Sequence, residues 1–344
     1  MKNKKIILIS ALAILGFGIL IFVAVKSPSI NLLGMAPPEK VIEFKDTKLI
    51  GRSNGQKTWE ITAEEIWSTK NQGMTTFENV KDGTIYKNGR AVVKNLRASK
   101  VRYHRWSGDV EAFDGASALV DLENIASGES SSGKTRFVTL IADEMKYNKD
   151  SEIAQAKGNV RIFEKDFEIR GSKMEIKGKS NKALISGGVR IAKEKTKITG
   201  NNMDADLSGQ TYIISGNAAL SQEDKLVSGE TAFLDEEKGT VRLENNVRFF
   251  IKEENAILSC DAIDLSTENE NGEASGSVLI TQKEKRAKSD RAVYTSDSET
   301  VVMTGNVYIE REGEWIKTEK VIVSLKDESF EAVGRVEAEF KIKK

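Results

Sequence analysis

A fixed period of 29 residues runs through the second half of this 344-residue chain. A short strand that begins with Gly or Asn and continues x-Val-x-apolar, with Ala once in place of Val, marks each copy. It stands at Gly158-Asn159-Val160-Arg161-Ile162, Gly187-Gly188-Val189-Arg190-Ile191, Gly216-Asn217-Ala218-Ala219-Leu220 and Asn245-Asn246-Val247-Arg248-Phe249. It returns at Gly276-Ser277-Val278-Leu279-Ile280, Gly305-Asn306-Val307-Tyr308-Ile309 and Gly334-Arg335-Val336-Glu337-Ala338, at intervals of 29, 29, 29, 31, 29 and 29 residues. A second landmark, apolar-x-small-x-x-apolar, starts at Leu140, Ile169, Ile198, Val227, Leu258, Ala287 and Ile316. Each start lies 20 positions before the Val or Ala of the next copy. Two landmarks locked together in this way define a stack of equivalent units, each touching its neighbours.

The units read as strands. Val160, Arg161 and Ile162, like Met174, Glu175 and Ile176, alternate apolar and polar with period two. Turn residues interrupt about twice per repeat, as at Glu164-Lys165-Asp166, Lys179-Ser180-Asn181-Lys182 and Asp235-Glu236-Glu237-Lys238-Gly239. This suits two antiparallel strands per repeat; nine such units stack to roughly 85 Å, and to half that if each repeat is one rung of a parallel solenoid. Ile169 and Met174 are five apart, so a straight strand would send them to opposite faces. A small residue between them, at Gly171, permits a bend or bulge that turns both inward and folds the sheet into a long V or flattened tube. The small position holds Ala142, Gly171, Gly200, Gly229, Cys260, Ser289 and Thr318.

Strand parity then places Val160, Ile162, Ile169, Met174, Val189, Ile191, Ile198 and Met203 on the inside. Leu220, Val247, Phe249, Leu258, Val278, Ile280, Val307 and Ile309 continue that lining, while Arg161, Arg190 and Arg248 face water. The residues leave two outcomes open: a sealed core, or a groove open along one side. Upstream the pattern loosens. Ile61, Ala63 and Ile66 precede Val80; Leu96, Ala98 and Val101 precede Gly108 and Val110; a polar run from Ser127 to Lys134 separates this part from the regular array.

Lys2, Lys4 and Lys5 precede an uncharged run from Ile6 to Val25, long enough to cross a hydrocarbon core of about 30 Å as a helix. The basic flank keeps the N-terminus cytoplasmic and places the rest outside. The run is long for a signal h-region and no small-x-small site follows closely, which favours an uncleaved anchor over a cleaved signal.

Composition removes other classes. Fifty-two basic and 52 acidic residues cancel, against nucleic acid as a partner. One Cys and one His exclude an internal disulfide and a Cys/His zinc site. Cys260 fills the small-residue slot and reads as packing, not as a nucleophile. His104, between Tyr103 and Arg105, reads as a rim residue, and Trp59, Trp67 and Trp106 as core. The acidic residues fall on outward positions as a solvated face, and the glycines recur singly instead of forming a phosphate loop. No catalytic constellation emerges, and the chain reads as a non-enzyme.

The segment Gly55-Gln56-Lys57-Thr58-Trp59-Glu60-Ile61-Thr62-Ala63, then Phe77-Glu78-Asn79-Val80, Gly89 to Leu96-Arg97-Ala98 and Gly108-Asp109-Val110, resembles the LptC family when taken with the N-terminal run. The later Gly-Asn-Val units are similar to the OstA-like repeat of LptA, and the resemblance covers nearly all of the chain after residue 40. It implies an elongated antiparallel β-jellyroll with a V-shaped groove, preceded by one transmembrane helix. The implied plan is a cytoplasmic tip and anchor (1–27), a linker (28–40), an LptC-like module (41–126), a polar loop (127–134) and an LptA-like array (135–344). It implies a lipopolysaccharide-export bridge without cofactor or chemistry, holding acyl chains in the apolar interior. Implied partners are lipopolysaccharide or a related glycolipid, inner-membrane ABC transporter subunits, and other jellyroll or outer-membrane proteins joined by edge-strand pairing. ATP hydrolysis would fall to a partner, since no Walker-type loop is present. The alternative is a membrane-tethered structural or adhesive β-solenoid with a sealed core and no lipid.

Overall fold

The computed structural model describes residues 40–70, 72–121, 137–165, 167–207, 209–252, 255–326 and 329–341. The apolar run 6–25, the linker up to residue 39 and the polar run 127–134 lie outside the described residues. No helix among the described residues is long and apolar enough to cross a membrane.

From Lys40 the chain is one antiparallel sheet of strands laid down nearly in sequence order. It opens with four long strands, β1 (Lys40–Ser53), β2 (Gln56–Thr69), β3 (Met74–Lys87) and β4 (Arg90–His104). The first and third hairpins close on Asn54-Gly55 and Asn88-Gly89, with positive φ at all four residues, the backbone that a two-residue turn between right-twisted strands requires. Next come two strands broken at mid-length: β5 (Val110–Phe113) with β6 (Ala116–Val120), and β7 (Val138–Ala142) with β8 (Glu144–Asn148). β4 pairs with both β5 and β6, β5 with β8, and β6 with β7, so the sheet passes without interruption from the looser half into the array.

The array begins at β9 (Ile153–Glu164), which pairs with both β7 and β8. It continues through β10 (Phe167–Lys177), β11 (Lys182–Lys193), β12 (Thr196–Asp206), β13 (Thr211–Gln222), β14 (Lys225–Asp235) and β15 (Thr240–Ile251). Then follow β16 (Ala256–Ser266), β17 (Gly272–Gln282), β18 (Lys285–Thr295), β19 (Thr300–Arg311) and β20 (Glu314–Ser324). Two short strands, β21 (Ser329–Val333) and β22 (Glu337–Glu339), both pair with β20 and form the last edge; β1 forms the first.

The period now has a physical composition. The twelve residues of β11, the two-residue turn Glu194-Lys195, the eleven residues of β12 and the four-residue loop 207–210 make one repeat. This is the antiparallel meander, not the parallel rung. In the 31-residue interval four positions, 252–255, separate β15 from β16, where the other copies have two. The surplus is thus absorbed at a strand end.

The bend lies elsewhere than the small residue alone suggests. The Gly-Asn landmark does not begin a strand; it sits mid-strand as a bulge with two successive left-handed residues. Gly158 and Asn159 have φ of 70° and 46°, and Asn245 and Asn246 have 64° and 55°. Gly and Asn adopt this region at least cost. Register slips there on both sides, with three residues of β9 (157–159) facing two of β10 (172–173) between the pairs Gly171–Val160 and Met174–Ala156. The Asn side chains are tied down: the Nδ2 groups of Asn159, Asn246 and Asn306 donate to Asp143 (2.9 Å), Glu230 (3.0 Å) and Asp290 (2.9 Å). Those carboxylates each directly follow a small-position residue of the neighbouring strand. The two devices together fold the sheet along its length and bury one continuous apolar cluster from Trp59 to Val321.

Candidate functional site

The inside of the folded sheet is the candidate site. Along the fold line Val160, Val189, Ala218, Val247, Val278 and Val307 are fully buried. On one side of that line runs an unbroken cross-strand ladder: Ile162–Ile169, Ile191–Ile198, Leu220–Val227, Phe249–Leu258, Ile280–Ala287 and Ile309–Ile316, each pair also registered against the next. On the other side a second ladder passes through Ala156, Met174, Ile185, Met203, Ile214, Ala232, Leu243, Ile263, Ala274, Ala292, Met303 and Val321.

All sixteen residues assigned to the interior by parity lie in the buried cluster or pack against it. Arg161, Arg190 and Arg248 point out, exposed. The two ladders differ in cover. Ile162, Ile169, Ile191 and Ile198 are buried, whereas Leu220, Phe249, Leu258, Ile280 and Ile309 are only partly so. The first ladder therefore keeps apolar surface accessible in the later repeats.

Sequence reasoning found only Met174 and Met203 of the second ladder. Of its other members, Ala156, Ile185, Ile214, Leu243, Ala274 and Met303 lie two positions before the Gly or Asn of a landmark, and Ala232, Ile263, Ala292 and Val321 close a second landmark. The signal had the same 29-residue period.

The interior widens in the first strands. A cavity of about 1000 Å³ is walled by Phe44, Leu49, Trp59, Ile66, Leu96, Tyr103, Leu140, Met145, Met174 and Ile176, with Lys57, Tyr86, Lys87 and Glu152 among its polar residues. That is the upper end of the range for small-molecule sites, roughly 300–1,000 Å³. Trp59 packs edge-on to Phe77 (5.6 Å) and beside Tyr103 (5.1 Å). Its indole lies directly over Gly51, where an added Cβ would collide with the ring.

Beside the cavity the Glu60 carboxylate accepts hydrogen bonds from Tyr86 Oη (2.6 Å), Lys48 Nζ (2.9 Å) and Lys57 Nζ (3.1 Å). The Tyr86 hydroxyl and then the two ammonium groups hold its pKa down to about 2, and the same contact raises that of Tyr86.

Cys260 is buried opposite Val247, its thiol pushed up to about 11, first by burial. His104 is half-buried with Nε2 3.3 Å from Glu111, whose other oxygen accepts from Lys146 (2.7 Å). Trp59 and Trp67 are core residues as expected. Trp106 is not: it is 79% exposed in the turn after β4, its ring faced by Arg105 at 5.8 Å. A tip turn has no sheet behind it to bury a ring. No group of three or more His, Cys, Asp or Glu among the described residues is placed to hold a metal ion.

Two family models match the chain. One, described as lipopolysaccharide-assembly, LptC-related, covers residues 11–194; the other, described as LptA/(LptD N-terminal domain) LPS transport protein, covers residues 139–329. The two overlap over 139–194. No curated protein matches. Among solved structures, the chain is similar to LptH of Pseudomonas aeruginosa, titled the LptA homologous periplasmic component of the conserved lipopolysaccharide transport device. Identity is 16% and the TM-score 0.32, over 34% of this chain and 95% of that one.

Proposed function

The chain belongs to the LptC-related and LptA/LptD N-terminal-domain families of lipopolysaccharide transport proteins, and from that premise we propose that it is a periplasmic bridge carrying lipopolysaccharide between the two membranes. The acyl chains travel in the apolar interior of the folded sheet while the sugar headgroup stays in water. The carrying observation is the pair of unbroken apolar ladders, which offers such chains a uniform path past every repeat. Polar or charged interruptions would trap or repel them. The cavity beside Trp59 is the receiving chamber at the N-terminal end. In this reading residues 6–25 anchor the chain in the inner membrane beside an ATP-driven transporter. The free edges β1 and β21/β22 pair with neighbouring jellyrolls by strand addition. The described strands amount to nineteen levels, with β5/β6, β7/β8 and β21/β22 each counted as one level, which at about 4.8 Å per step is roughly 86 Å of reach.

A photo-crosslinking side chain placed at Ile191 or Phe249 in cells captures lipopolysaccharide, and one at Arg190 or Arg248 does not. Equal labelling of both faces, or none inside while export runs, overturns the carrier reading. The near-complete burial along the fold line favours a second reading, the tethered structural or adhesive solenoid with a sealed core, and absence of interior labelling is its signature.

A further inference from the structure

Folding the sheet lengthwise brings its two rows of strand ends toward each other. One row holds the short turns, as between β3 and β4 or β13 and β14, together with the connection between β6 and β7, of which residues 122–136 lie outside the described residues; the other holds the four- and five-residue loops, as between β8 and β9 or β16 and β17. Among the described residues ion pairs cross from row to row at two levels. Lys87 Nζ, at the end of β3, lies 3.2 Å from Glu152 Oε2, just before β9 and 65 residues away. Lys225 Nζ, at the start of β14, lies 3.8 Å from Glu270 Oε2 in the loop before β17. Both place a lysine in the short-turn row and a glutamate in the long-loop row. Among the described residues no strand pairing or main-chain hydrogen bond joins the two rows. Among the described residues the seam is therefore held by side chains alone; Lys225–Glu270 is exposed and Lys87–Glu152 half-buried, and ion pairs near the surface are individually weak and screened by salt.

Lys87 and Glu152 are also wall residues of the widened cavity. Resting on the carrier reading above, we propose that this seam is a lateral gate. Acyl chains enter the cavity sideways, between the parted rows at Lys87 and Glu152, and the ion pair re-forms as they move on; Lys225 and Glu270 close the passage again further along. Threading from an end would drag a polar headgroup through an apolar interior, at the full cost of its desolvation. A slot leaves the headgroup outside. Among the described residues parting the seam breaks no main-chain hydrogen bond, so it opens while the sheet stays intact.

The test locks the gate reversibly. Lys87→Cys and Glu152→Cys are placed in the full-length, detergent-solubilised chain carrying Cys260→Ser, and bridged with a reducible bifunctional methanethiosulfonate. Uptake of radiolabelled lipopolysaccharide from micelles is then timed before and after reduction. The bridged protein takes up lipid at least tenfold more slowly, and reduction of the same sample restores the rate. Equal rates in the two states overturn the gate and leave the carrier reading standing; no uptake after reduction overturns both. Lys87→Glu, which sets two carboxylates against each other, speeds uptake in the unlocked chain. The exchange Lys87→Glu with Glu152→Lys returns it to the original rate, and failure of that return also counts against the gate.

Discussion

Ile185 occupies the space into which a side chain at Gly171 would project: a Cβ on Gly171 would lie 2.5 Å from Ile185 Cγ2. The same relation recurs one repeat on, between Gly200 and Ile214. At these two positions the small residue of the second landmark thus serves the ladder opposite it, where its absence of bulk lets the neighbouring strand's isoleucine reach inward. Gly171→Val drives a branched side chain into that isoleucine and lowers stability by about 1–3 kcal/mol, read from the urea unfolding midpoint.

Where the slot already carries a side chain, the demand is milder. Cys260→Ser and Cys260→Ala fold and function, losing about 1 kcal/mol or less, whereas Cys260→Leu overpacks and costs about 1–3 kcal/mol. Burial and the raised thiol pKa make Cys260 inert to iodoacetamide at pH 8 in the folded chain and reactive once the chain is denatured. Rapid labelling of the folded protein contradicts this placement.

The bulge rests on left-handed backbone. At Gly216, φ is 78°, and an added Cβ would meet the Asn201 side chain. Gly216→Asn reproduces what Asn245 does naturally and is the mildest replacement; Gly216→Val costs at least about 1–2 kcal/mol more. Comparison of the two thermal midpoints decides it, and equal midpoints remove the bulge from the account.

Glu60 titrates near 4.5 when unfolded and at about 2 when folded. Its stabilisation is therefore fully present above pH 4.5 and is lost as pH falls toward 2. Glu60→Gln destabilises by roughly 1–3 kcal/mol at neutral pH. The difference between the two proteins shrinks across that window and vanishes near its lower end, followed by thermal unfolding at stepped pH.

Phe249→Asp sets an unpaired carboxylate within the first ladder. Because Phe249 is only partly covered, the sheet survives, as far-UV circular dichroism will report. Lipid passage stops, as uptake of labelled lipopolysaccharide will report.

Much of this was legible in the sequence because a strand's alternation and a turn's length are local properties. Val160 and Ile162 announce an inward face by parity, and Lys179 to Lys182 announce a turn. What escaped was set by neighbours across the sheet. Gly158-Asn159 reads as a strand start because Gly and Asn flank strands so often; only pairing with β10 reveals a bulge inside one. The small position reads as a hinge, while its size is dictated by Ile185, fourteen residues on. Trp106 reads as core from its ring alone, yet falls on a turn. Lys87 and Glu152 carry no pattern at all, since their meeting depends on how far the whole sheet folds over.

The make-up of one repeat, two strands with one short turn and one longer loop, also turns the chain into a ruler. Removing or adding 29 residues removes or adds two strand levels, about 10 Å, and leaves both terminal edges unchanged. Its reach is thus quantised: a gap of another width is matched by counting repeats, with no new interface to invent at either end.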